Sequence, residues 1–253
     1  MLTPITRDAG TAASRSRMPL ATWLRVLAGR GDSELLLGGT GHLLLSPEEE
    51  HNVARQLRGG VLPRLFPEGG FAQVCLLTGL APGADLLLAR VLSGWLLERD
   101  IPFRMVGLLP VPPENLLEDW LDSLPEVDET HAAGQRQQRR EQIEGTLASC
   151  ETIVDLMPPG SGDADLANQA FRERQYRLLA ACLAQRSDIL IAILRQQNLL
   201  RPGGTAEVVD WRRNPLHIPA EFCTDPPPPP DGAGHRLIVI DPAVDYTAAG
   251  DGG

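Results

Sequence analysis

The chain has 253 residues and a formal net charge of −10, and its 23 basic residues are all arginine. The acidic balance argues against a general nucleic-acid or anionic-membrane surface but leaves room for a local basic pocket. No apolar run reaches the roughly eighteen residues that cross a membrane, and the four cysteines, Cys75, Cys150, Cys182 and Cys223, form no CxxC pair and have no histidine at ligand spacing. Neither a metal site nor a disulfide framework is expected, and the compartment is read as cytoplasmic. Arginine in place of lysine, with abundant Ala, Gly, Leu and Pro, points to a GC-rich bacterial source.

Residues 1–18 carry no hydrophobic period and are read as a disordered or loosely attached tail. From Pro19 onward, Leu20, Trp23, Leu24 and Leu27 fall at i, i+3, i+4 and i+7, an apolar helical stripe. Residues 34–37 read as a first strand that leaves through Gly38-Gly39-Thr40-Gly41-His42, a glycine-rich exit loop in which Gly39, Thr40 and Gly41 are candidate ligand contacts. Ser46-Pro47-Glu48-Glu49 starts a helix, with Ser46 as cap, Pro47 first and Glu49 completing a capping box. Residues 74–78 are the second strand, ending in Gly79-Leu80-Ala81-Pro82-Gly83-Ala84-Asp85 before a strongly apolar helix. The pattern repeats with a strand at 103–109 and an acidic-faced helix at 114–124.

Residues 125–142 are polar, with the most basic patch of the chain at 135–140, and read as a solvated helical face or a mobile insertion. A short strand at 153–157, a polar loop at 161–165 and a long helix at 166–185 carrying Arg172, Arg174, Tyr176 and Arg177 follow. Residues 188–194 are apolar and rich in β-branched side chains, which predicts a strand buried on both faces and central in a sheet. Pro202-Gly203-Gly204-Thr205 then leads into a helix with Thr205 near its N-cap. Residues 225–235 form a proline-rich linker, 236–241 a candidate edge strand and 242–253 a mobile tail.

Strands alternating with helices at this spacing predict an α/β fold, a doubly wound, mostly parallel Rossmann-like sheet with helices on both faces, spanning 19–224 with its core at 34–213. Ligands of such sheets sit beyond the carboxyl ends of the strands where the winding reverses. Three strands here end in glycine loops, and the unpaired N–H groups of a first helical turn face bound anions, so a nucleotide or sugar-phosphate pocket is expected. Neither a GxGxxG fingerprint nor a GxxxxGK[ST] loop is present, which argues against an NAD enzyme or a P-loop NTPase. Each candidate also has a plainer reading. Gly203-Gly204 serves equally as a tight turn, Asp85 and Glu207 as partners of a helix dipole, Arg172 as a solvated charge, Tyr176 as a ring packed on the sheet and His42 as a polar loop residue.

The stretches TGLAPGAD (78–85), RQYRLL (174–179), SDILIAI (187–193) and PGGTAEVV (202–209) resemble the SLOG superfamily. That group of Rossmann-like domains includes the Lonely Guy (LOG) phosphoribohydrolases, the DNA-processing DprA proteins and nucleotide-sensing domains of bacterial conflict systems. The resemblance covers about 34–213 and implies that Gly79, Leu80, Ala81, Gly83 and Asp85 of one loop, and Gly203, Gly204, Thr205 and Glu207 of the other, hold a nucleotide or its phosphate. The hydrolase branch reads PGGxGTxxE, its Glu acting with an Arg of the preceding helix. Arg174 matches that Arg, but Glu207 follows Thr205 by two residues, which turns it by about 100° on a helix. The resemblance therefore implies a nucleotide sensor that signals to a protein effector. The alternative is a LOG-like nucleoside 5′-monophosphate phosphoribohydrolase with Arg174 and Glu207 as catalytic residues. DprA-like binding of single strands is disfavoured by the acidic charge and the lack of aromatics among the arginines of the basic patch. No cofactor is expected; the candidate partners are a nucleotide or sugar-phosphate, an effector protein and a second copy of the chain.

Overall fold

Strand after strand is covered on both faces. In Ile189–Ile193 every residue is buried, as a parallel strand between two helical layers requires. The computed structural model describes residues 16–31, 33–67, 73–122, 129–195, 201–223 and 236–244. The first 15 residues, the linker at 225–235 and the tail from 245 lie outside the described residues. The elements are β1 (Ser16–Pro19), α1 (Leu20–Ala28), β2 (Glu34–Gly41) and α2 (Pro47–Gln56), which continues through a π turn (Leu57–Val61) into α3 (Leu62–Leu65). Then come β3 (Gln73–Thr78), α4 (Ala84–Leu97), β4 (Phe103–Leu109), α5 (Pro113–Asp122), α6 (Glu129–Ser149) and β5 (Thr152–Asp155). The chain closes with α7 (Asp163–Leu166), α8 (Gln169–Arg186), β6 (Ile189–Ile193), α9 (Thr205–Arg213) and β7 (Arg236–Ile240).

The seven strands form one sheet in the order β1-β5-β4-β3-β2-β6-β7, and every neighbouring pair is parallel. From β2 through β3 and β4 to β5 the chain steps one way, and its crossover helices pack in a core that includes Val53, Leu92, Trp95 and Ile143. From β5 to β6 and β7 it steps back, and α8 and α9 pack in a second core with Trp23, Leu183, Val208 and Trp211. Reversing both direction and face keeps one crossover hand throughout. This is the doubly wound α/β fold, and its winding reverses between β2 and β6.

Several boundaries differ from the sequence expectation. Ser16–Pro19 pairs with Thr152–Asp155 as an edge strand, so the expected tail at 1–18 does not reach through Ser16. The sheet is centred on β3, with β6 one strand from an edge. Gly38-Gly39-Thr40-Gly41 is strand, not exit loop, and pairs residue by residue with Leu190–Ile193. The glycines there admit close packing: a Cβ on Gly41 would lie 2.4 Å from the Ala84 Cβ and 2.8 Å from the Ile193 Cβ. Residues 242–244, assigned to the mobile tail, form a turn held by Gln56, whose Nε2 donates to the carbonyls of Asp241 and Val244. Of the polar stretch 125–142, the part from Glu129 on is helical, as the helical-face reading has it, and the helix runs on to Ser149.

Charged side chains lock the amino ends of the strands. Arg104 forks onto Glu34 at 2.7 and 3.0 Å, and Arg30 forks onto Asp188, which also accepts the Leu36 N–H. The buried Arg212 of α9 donates to the carbonyls of Ala184 and Asp188, and burial lowers its pKa to about 10.

Candidate functional site

At the carboxyl ends of β2, β3 and β6, beside the reversal of winding, lies a cavity of about 830 Å³. One wall is the turn before α9. Gly203 has φ +71°, and a Cβ there would sit 2.5 Å from the Tyr176 Cβ, so only glycine fits this position. Gly204 is the N-cap and has φ −83°, a conformation open to any residue. Glu207, in the first turn of α9, folds back to accept the Gly203 N–H at 2.6 Å and pairs with Arg177 at 3.0 Å. The Gly204 N–H bonds to the Arg201 carbonyl. The N–H groups of Thr205 and Ala206, in the first turn of α9 where no intrahelical acceptor exists, have no partner among the described residues, and both residues line the cavity.

The loop after β3 is organised differently. Leu80 adopts φ 60°, a strained conformation for a branched side chain, with its side chain fully buried. Its N–H donates to the Thr78 hydroxyl. Asp85, one residue into α4, is buried near the backbone N–H groups of Ala81, Gly79 and Gly41, whose influence lowers its pKa. It is buried so completely that its pKa is pushed up to about 7 despite those donors.

Two further side-chain clusters face the same space. Arg195, the second residue past β6, is gripped by both carboxylate oxygens of Glu49 at 2.8 Å and donates to the Leu44 carbonyl. Glu49 also completes the capping box with Ser46, and the Arg195 contact holds its carboxyl below the usual range. The Arg195 N–H donates to His42 Nε2 at 3.0 Å, so the imidazole is neutral with its proton on Nδ1. Burial, then Arg195, lower the His42 pKa. On the opposite wall, Asp119 of α5 accepts from the Tyr176 hydroxyl and pairs with Arg172. Burial raises the Tyr176 pKa to about 12.

Of the residues singled out in the sequence, Thr40, Gly41, Ala81, Asp85, Gly203, Gly204 and Thr205 line this cavity together, joined by His42, Arg172 and Tyr176. Gly39 packs under Leu88 and Gly79 against Asp85 and Leu179, while Gly83 serves the α4 turn at φ +92°. Glu207 is outside the lining and holds the turn from behind. Arg174, catalytic only in the alternative hydrolase reading, is exposed and outside the lining, and Glu207 pairs instead with Arg177, one turn further along α8. Arg172, read as a solvated charge, faces the cavity instead. The sequence reading missed Asp119 and Arg195. Arg195 carried a positional signal, since it follows directly on a buried strand whose carboxyl end faces the ligand side. Asp119 carried none beyond belonging to an acidic helix.

No protein-family model matches the chain, and no curated protein matches it. Among the described residues, no cluster of His, Cys, Asp and Glu is arranged to hold a metal ion, and no helix is long and apolar enough to cross a membrane.

Proposed function

We propose that the chain is a SLOG-type binding domain that takes a nucleotide or nucleotide-derived phosphate ester in the cavity at the winding reversal and passes occupancy to a partner protein. The observation that carries this reading is the first turn of α9. Two N–H groups with no partner among the described residues, those of Thr205 and Ala206, belong to residues that line an 830 Å³ space shared with Arg172, Arg195 and Arg201. A helix start of this kind favours anions through both its free donors and its dipole, and the volume is that of a cofactor-sized site. Tyr176 and Leu179 give the same cavity an apolar flank for a base.

Binding is favoured over cleavage of an N-glycosidic bond. A phosphoribohydrolase needs a carboxylate aimed at the sugar and an arginine beside it. Glu207 is already engaged by Arg177 and the Gly203 N–H, and Arg174 faces solvent.

Thermal unfolding with a panel of mono-, di- and cyclic nucleotides tests the proposal. A ligand at 100 times its dissociation constant adds about 2.7 kcal/mol of stability, a readily measured rise in midpoint. A ligand-free, folded protein whose midpoint moves with none of them would refute it.

A further inference from the structure

We infer a second small-molecule site, for an apolar carboxylate, in the crevice between α4 and α6. Here a cavity of about 330 Å³ shares no lining residue with the loop cavity. Its floor is apolar: Leu86 and Leu87 of α4 and Met105 of β4 border it. The opposing wall is α6, which presents Gln138, Gln142 and Thr146, a polar stripe at helical spacing. An apolar floor facing a polar wall leaves a crevice that neither side chain set fills, and it suits a ligand with one apolar face and one polar end. Met105 adds a polarizable thioether, which favours an aromatic ring.

The rim specifies the polar end. Glu50 of α2 is shared between Arg90, at 3.5 Å, and Arg139, at 3.3 Å, while Glu141, which also lines the crevice, accepts from Gln137 Nε2. The Arg90 Nε is buried and has no hydrogen-bond partner among the described residues. A ligand carboxylate would supply the missing acceptor and complete the fork. Gly145 lines the same crevice from α6, and a Cβ built on it meets nothing within 4 Å. A glycine in a helix interior costs about 0.5–1 kcal/mol relative to alanine. No protein neighbour requires this one, and its missing side chain keeps the crevice open.

The test titrates 3-phenylpropionate and its neutral counterpart 3-phenylpropanamide into the full chain, followed by NMR. The carboxylate is expected to bind about tenfold more tightly than the amide, the scale of a charge-assisted hydrogen bond. Arg90→Gln should erase that preference. Gly145→Leu should abolish binding of both compounds without lowering the thermal midpoint, since leucine is the better helix former. Arg195→Ala, in the loop cavity, should leave binding unchanged. Absence of binding by either compound, equal affinities, or binding that survives Gly145→Leu would each overturn the inference, as would loss of binding in Arg195→Ala.

Discussion

Asp85 is a carboxyl group buried in the fold beside the loop cavity. Burial raises its pKa from the ordinary 3.8 to about 7, against the opposing influence of the Ala81, Gly79 and Gly41 N–H groups. A folded-state pKa above the unfolded one means that the native protein binds the proton more tightly. The contribution to stability is therefore complete below the unfolded value and is lost as pH rises through the folded one. Urea midpoints of wild type and Asp85→Asn between about pH 4 and 8 should diverge, with wild type falling relative to the variant up to about pH 7 and levelling beyond. Parallel curves would contradict the assignment; His42, present in both proteins, cancels in the difference. The arginines separate in the same way at the level of single side chains. Arg174 is exposed outside the cavity, so Arg174→Ala should leave nucleotide affinity within about twofold, whereas Arg195→Ala should weaken it by about 1.5–3 kcal/mol, the worth of a hydrogen bond to a charged group. Calorimetric titration of both variants checks the contrast.

Among the elements, the amino ends of the strands hold the sheet together and the carboxyl ends hold the cavity. Arg104 on β4 bridges over β3 to Glu34 on β2, with both side chains largely shielded from solvent. Removing one partner leaves the other charge uncompensated, so Arg104→Ala should cost about 2 kcal/mol in denaturant unfolding. It should leave nucleotide affinity unchanged, because the pair sits at the far end of the sheet. Gly203→Ala should act in the opposite sense: its Cβ would strike Tyr176 at 2.5 Å in a backbone region unfavourable to alanine, displacing the start of α9 and weakening binding more than stability alone explains.

The repeating strand, glycine and helix units were legible in the sequence because buried parallel strands appear as unbroken apolar runs. The end of β2 was not. Glycines at 38, 39 and 41 look like a loop until Ser187 is seen to press on Gly38, Leu88 on Gly39 and Ala84 on Gly41. The cavity was legible as a convergence of loops, but the engagement of Glu207 was not, since it depends on how α8 lies across α9. Helical spacing indicated a rotation of Glu207 without naming Arg177 as its partner.

For the whole molecule, one topology accounts for both the winding reversal and the site. The step from β5 back to β6 separates α4 from α8 and α9 beyond the strand ends, and into that gap α9 aims its first turn. Because Glu207 is engaged behind the turn, incubation with AMP, GMP, CMP or UMP should release no free base on chromatography; release lost in Glu207→Gln would make the chain a hydrolase. The central claim, that the phosphate of a nucleotide docks on the start of α9, is tested most directly by amide hydrogen exchange of Thr205 and Ala206, read by NMR with a stabilising nucleotide at saturation. These two amides are expected to become markedly protected. Unchanged exchange at Thr205 and Ala206 under saturating nucleotide would contradict it.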